Sequence, residues 1–136
     1  MGWNALSCYG NKDLQTPHLD RLAAQGMRFT QAYSACTVCS PTRAAMMTGK
    51  SPARLHITDW IAGHVPDNGR LVVPNWTLQL PLEEETLAER LKTHGYATAS
   101  IGKWHLGDVY PHRPKDKGFQ ESVYHLGWGQ LNSTPE

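Results

Sequence analysis

The stretch TLAERLKTHGYATASIGKWHLG, Thr86–Gly107, sets a helix, a strand and a polar loop end to end. Thr86 and Glu89 spell a capping box, in which each side chain satisfies a backbone amide at the start of the helix. Leu87 and Leu91 share a face, Lys92 and His94 sit at the electronegative end, and Gly95 supplies the stop. Tyr96 to Ile101 reads as the strand, with the small residues Ala97 and Ala99 on one side. Helix–strand alternation argues for a parallel sheet in an α/β fold. Ligands of open α/β sheets bind beyond the carboxyl ends of the strands, so Gly102-Lys103-Trp104-His105-Leu106-Gly107 stands where catalytic side chains are expected. The two glycines permit a tight turn, and Lys103 and His105 alternate across the segment to point the same way. Lysine can neutralise an anion and histidine can move a proton near neutral pH. Taken alone, a Lys-x-His pair in a loop is usually just solvated.

The same order is expected upstream. Thr16-Pro17-His18-Leu19 reads as a helix start, with threonine as cap and proline in the first helical position. Leu19, Leu22 and Ala23 fall on one face and Gly26 ends the helix. Met27 to Thr30 then alternates as a short strand. Between the two units, from about Thr58 to Leu82, run Pro66, Asn68-Gly69, Pro74 and Pro81, the signature of a long irregular loop. Such a loop in a small domain either covers something functional or is an insertion over the surface.

A third helix start lies at Ser40-Pro41-Thr42-Arg43, with Ser40 as cap, Pro41 in the first position and Gly49 as terminator. Cys39 then sits at the positive end of a helix of about two turns, where an anionic nucleophile is favoured. Arg43 adds a fixed charge whose fork suits phosphate or sulfate. The spacing alone fits an inert cysteine beside a helix cap equally well. Cys36 and Cys39 also spell C-x-x-C, open to reading as a redox pair or half a zinc site, with Cys8 the only other cysteine.

The 136 residues suit one domain or a piece of a larger one, and an apolar content of 40% allows a core. A net charge of +1 gives no electrostatic case for nucleic acid or an anionic membrane. No apolar run reaches the roughly 18 residues of a membrane span. Three cysteines fit poorly with a disulfide framework and leave the compartment open.

Cys39-x-Pro41-x-Arg43 followed by Gly102-Lys103-x-His105 resembles the type I sulfatases. The resemblance extends over Thr16–Trp60, Thr86–Gly107 and Arg113–Phe119, most of the chain. It implies an α/β chain with a partial alkaline-phosphatase-like fold, a mostly parallel sheet flanked by helices. Residues 1–136 are then expected to be an N-terminal fragment of the catalytic domain, truncated at both ends.

By the same resemblance a separate maturation enzyme oxidises Cys39 to formylglycine, guided by Pro41 and Arg43. The hydrated aldehyde carries two hydroxyls, one to attack sulfur and one whose deprotonation expels sulfate, which splits a hard step into two easier ones. Arg43 would hold the hydrate, Lys103 would contact the sulfate oxygens and His105 would hydrogen-bond the hydrate. The expected substrate is a sulfate ester, and neither nucleic acid nor a membrane span is expected. The family also uses a divalent cation, usually Ca2+, to which the hydrate of residue 39 is one ligand. Its Asp-Asp pair precedes the segment matched by Met1-Gly2-Trp3, and the later ligands lie beyond position 136, so the remaining ligands are expected to be absent from this chain. Asp13, Asp20, Asp59 and Asp108 match none of the metal positions. A catalytically inactive remnant is therefore the alternative for the isolated chain, and a C-x-x-C redox or metal module a distant one. Full-length relatives are often exported, but this chain shows no signal peptide and its localisation stays unknown.

Overall fold

The Thr86 box forms as its residues require: the hydroxyl accepts from the Glu89 amide at 3.1 Å, and the Glu89 carboxylate accepts from the Thr86 amide at 2.7 Å. A computed structural model describes residues 2–61, 69–125 and 131–132. Backbone contacts divide the chain into two units, Met1–Tyr33 and Ser34–Glu136. Met1, Pro66 and Asn68, singled out above, lie outside the described residues.

Among the described residues the second unit holds three α-helices and a sheet. We label α1 Pro17–Gln25, α2 Cys39–Thr48, α3 Pro52–Leu55 and α4 Leu87–Thr93, with strands β1 Ala99–Lys103, β2 Glu121–His125 and β3 Leu131–Asn132. The sheet runs β1-β2-β3. β1 and β2 are parallel, in register from Ala99 opposite Glu121 to Lys103 opposite His125. β3 joins β2 antiparallel. The α/β class expected from the helix–strand order is what forms.

The strand starts three residues later than Tyr96–Ile101 and ends two residues later. Tyr96 is taken by the end of α4, where its amide bonds the Leu91 carbonyl at 3.1 Å. Thr98 is taken by a separate junction, donating its hydroxyl to the Gly118 carbonyl at 2.7 Å. Pairing with β2 starts only after these bonds, so Gly102 and Lys103 belong to the strand rather than to the turn.

Ala44, Leu55, Ile57, Ile61, Leu80, Trp104, Leu106 and Tyr124 form the core, with Met47 and Phe119 packed against it. Each fully buried aliphatic side chain here contributes about 1.5–3 kcal/mol relative to exposure. The described parts of residues 58–82 carry no helix or strand, yet they deliver Ile61 and Leu80 to this core. The loop is thus anchored in the core near its two ends, while residues 69–75 between them are exposed. Beneath α4, Lys117 is 2% exposed. Its ammonium reaches the Glu89 carboxylate at 3.2 Å and the Glu84 carbonyl at 2.9 Å.

In the first unit α1 begins at Pro17 as expected, but the Thr16 side chain does not cap it. The Thr16 hydroxyl instead accepts from the Ser7 amide at 3.0 Å and donates to Asp20 at 3.1 Å. Asp20 also accepts from the Ser7 hydroxyl and the Cys8 amide. The Ser7 bond is the main reason its carboxyl lies below the usual range. Met27–Thr30 forms no strand. Alternation needs a neighbouring ladder to become a strand, and among the described residues the only sheet is the one in the second unit.

Candidate active site

Helix α2 begins one residue before its expected cap. Cys39 is its first residue and Val38, which has no side-chain acceptor, holds the cap position. Ser40 is drawn away from capping because its hydroxyl accepts the Ile61 amide at 2.9 Å in a fully buried setting. The helix runs 10 residues, about three turns rather than two, and Gly49 ends it in the left-handed conformation with its amide on Ala45. Cys39 thus keeps the expected place in the positive first turn, half-buried with a free thiol.

The loop leading into Cys39 is clasped from both sides. The Ser34 and Thr42 hydroxyls both donate to the Cys36 carbonyl, each at 2.8 Å. Cys36 is also a free thiol, so no C-x-x-C disulfide is present.

Arg43 lies one turn along from Cys39 and crosses to β1, where its guanidinium donates to the Lys103 carbonyl. Cys39, Arg43 and Lys103 line a single cleft of ≈ 400 Å3, with Cys36, Met47, Trp104 and Phe119 also on its walls. The Arg43 Nε is buried without a hydrogen-bond partner.

His105 departs from the expected geometry. Extended backbone ends with Lys103, the last residue of β1, and His105 is left-handed at φ 62°. Lys103 and His105 therefore do not simply alternate. Lys103 lines the cleft, whereas His105 is only 5% exposed and bonds its Nε2 to the Ile61 carbonyl at 3.1 Å. A carbonyl only accepts, so Nε2 carries the proton, and Nδ1 is left buried without a partner. Burial first and the Lys103 charge second hold this imidazole below its ordinary pKa. Arg43 pushes the same way, while the Ile61 bond and Asp108 oppose it. The ring is accordingly neutral at neutral pH.

A buried knot fixes the Trp104–Leu106 segment. Leu80 donates its amide to the Leu106 carbonyl and accepts the His112 Nδ1–H, both at 2.8 Å. The Trp104 indole in turn donates to the His112 carbonyl at 2.9 Å. Gly107 is needed here: at φ +126°, a Cβ would lie 2.4 Å from that of His112.

Sequence reasoning missed Ser40 as a buried acceptor, Ile61 as a two-sided backbone anchor and Leu80 as the support of the Lys103–His105 segment. These partners are 21 to 44 residues apart, and no local pattern marks them. Among the described residues no three His, Cys, Asp or Glu side chains gather as a metal site. Calcium takes about 6–8 oxygen ligands, so these residues do not by themselves fit a calcium shell.

The sulfatase family model matches residues 1–135. Mouse (Mus musculus) steryl-sulfatase is 45% identical over 128 residues, 88% of this chain and 19% of the relative. Human (Homo sapiens) arylsulfatase A is 45% identical over 107 residues, 79% of this chain and 19% of the relative. Among solved structures, Ps i-CgsB superposes with a TM-score of 0.78 at 34% identity, covering 94% of this chain and 26% of that one. The PsFucS1 sulfatase from Pseudoalteromonas sp. gives 0.72 at 31% identity, covering 93% and 24%. The chain belongs to the sulfatase family, and its sheet and helices are part of the alkaline-phosphatase-like α/β fold. It spans about a fifth of the length of these curated relatives.

Proposed function

We propose that residues 1–136 are the N-terminal part of the catalytic domain of a sulfuric ester hydrolase, carrying its nucleophile and one side of its sulfate pocket. The observation that carries this reading is the pair of orphaned buried atoms, Arg43 Nε and His105 Nδ1. One is a donor without an acceptor and the other an acceptor without a donor. Buried polar groups are ordinarily satisfied, and an anionic ester with a hydroxylated nucleophile at residue 39 offers both missing partners.

Cys39 suits conversion to formylglycine because it is partly exposed, free, and followed by Pro41 and Arg43. That group, hydrated, supplies two hydroxyls on one carbon, so that sulfate can be taken up and then released without hydrolysis of a stable ester. The chain's own residues do the rest. Arg43 neutralises charge at residue 39, and its bond to the Lys103 carbonyl ties helix α2 to the end of β1. Lys103, on the same cleft, contacts the sulfate oxygens. Neutral His105 accepts a hydroxyl proton at Nδ1, because Nε2 is already committed to Ile61. Charges preorganised in this way are usually the main source of stabilisation for an anionic transition state. Ca2+ belongs to this reading through the family resemblance.

The test is mass spectrometry of the Cys39 peptide after co-expression with a formylglycine-generating enzyme. The expected product is the aldehyde or its hydrate; an unmodified thiol beside a converted control sulfatase would refute the assignment. A second reading, a non-catalytic remnant, is favoured for the isolated chain by the lack of a metal cluster among the described residues. Robust, calcium-dependent hydrolysis of an aryl sulfate by the 136 residues alone would overturn it.

A further inference from the structure

Ile61 is gripped at both its backbone polar groups. Its amide donates to the Ser40 hydroxyl at 2.9 Å and its carbonyl accepts from His105 Nε2 at 3.1 Å. Ser40 is fully buried and Ile61 nearly so, its side chain packed in the core. The three groups come from the first turn of α2, the segment after α3 and the segment after β1. The residue beside Cys39 is therefore linked through one residue's backbone to the imidazole. The tautomer of a histidine is set by the bond its other nitrogen makes. Here that bond exists only while the Ile61 carbonyl faces the ring.

We propose that Ser40 is a positioning residue, which holds Ile61 so that its carbonyl locks His105 in the Nε2–H tautomer with Nδ1 bare. The use of that bare nitrogen rests on the sulfatase reading above, whereas the lock itself does not. Without the Ser40 oxygen the Ile61 amide is buried with no acceptor, and the backbone must shift to find one. The same shift draws the carbonyl off the ring and frees the other tautomer. Threonine keeps the oxygen, alanine removes it, and cysteine keeps the volume but accepts weakly.

The experiment labels the histidines of the 136-residue chain with 15N and records long-range 15N–1H correlations at about pH 8, where imidazole is neutral. The His105 signal is identified by its loss in His105→Gln. The wild-type ring is expected as Nε2–H. Ser40→Ala shifts the tautomer ratio toward Nδ1–H about tenfold, the worth of one neutral hydrogen bond. Ser40→Cys shifts it in the same direction, and Ser40→Thr restores the wild-type pattern. A wild-type ring in the Nδ1–H form overturns the proposal, as does an unchanged tautomer in folded Ser40→Ala or Ser40→Cys. Cys39 conversion, read by mass in the wild-type chain co-expressed with a formylglycine-generating enzyme beside a control sulfatase, reports separately on the sulfatase reading: an unconverted thiol beside a converted control, with an intact tautomer response, removes that reading and leaves the lock standing.

Discussion

Replacing Gly107 by alanine tests whether the Trp104–Leu106 segment is held by the knot beneath it. The added Cβ would stand 2.4 Å from the His112 Cβ, 3.3 Å from its Cγ and 3.4 Å from the Gln79 Cβ. Carbon atoms pack at about 3.5–4.0 Å, so His112 must retreat by about 1.1–1.6 Å. It cannot do so and keep both its 2.8 Å bond to the Leu80 carbonyl and the 2.9 Å bond it receives from Trp104. Overpacking of this kind costs about 1–3 kcal/mol, and a side chain at positive φ adds about 1–2 kcal/mol. Gly102→Ala is the control, since Gly102 has a similar φ of +115° but nothing within 4 Å of the added carbon. Gly107→Ala is expected to lose about 2–5 kcal/mol and Gly102→Ala only the backbone part, about 1–2 kcal/mol. Urea unfolding followed by tryptophan fluorescence measures both. Equal losses in the two variants would refute the steric argument and with it the role given to His112.

Two further outcomes follow from charge and burial. The His105 pKa is lowered in the folded state, so the unfolded chain binds the proton first as pH falls. Its contribution to stability is therefore lost below about pH 6.5, the unfolded value, at up to about 1.4 kcal/mol per pH unit, and levels off below the folded pKa. His105→Gln is expected to flatten the slope of urea midpoint against pH in that window; parallel slopes would contradict the assignment. Lys117→Ala leaves the Glu84 carbonyl and the Glu89 carboxylate without their cation. The expected loss is about 3 kcal/mol, the low end for a broken buried pair, because the Glu89 side chain keeps 30% of its exposure. Thermal unfolding checks this, and a change under about 1 kcal/mol would place the pair with ordinary surface bridges.

Local signals carried the parts of the fold that depend on neighbours in the chain. The Thr86–Glu89 box, the proline start of α1 and the glycine stop of α2 all need only a few consecutive residues. Strands were less legible. Met27–Thr30 has the alternation of a strand and forms none, while Gly102 and Lys103 look like a turn and pair with β2. A strand is completed by a partner elsewhere in the sequence, so its limits are not written in its own residues.

The candidate site divides the same way. Cys39 and Arg43 are one helical turn apart and Lys103 ends β1, but spacing alone fits an inert cysteine and a solvated lysine as well, and the resemblance to the sulfatases brought these three forward. That they line one cleft is a tertiary fact, made by the Arg43 bond to the Lys103 carbonyl across 60 residues. Ser40 reads as a helix cap in sequence and becomes a buried acceptor only because Ile61 is folded onto it. His105 reads as a loop side chain pointing the same way as Lys103, yet a left-handed turn and the Ile61 carbonyl bury it and choose its proton. Sequence by itself determined which chemical groups this protein carries and which helices present them. Tertiary structure decided which of those groups meet and which nitrogen of His105 is free, because hydrogen bonds between distant segments, satisfied only when buried together, set both.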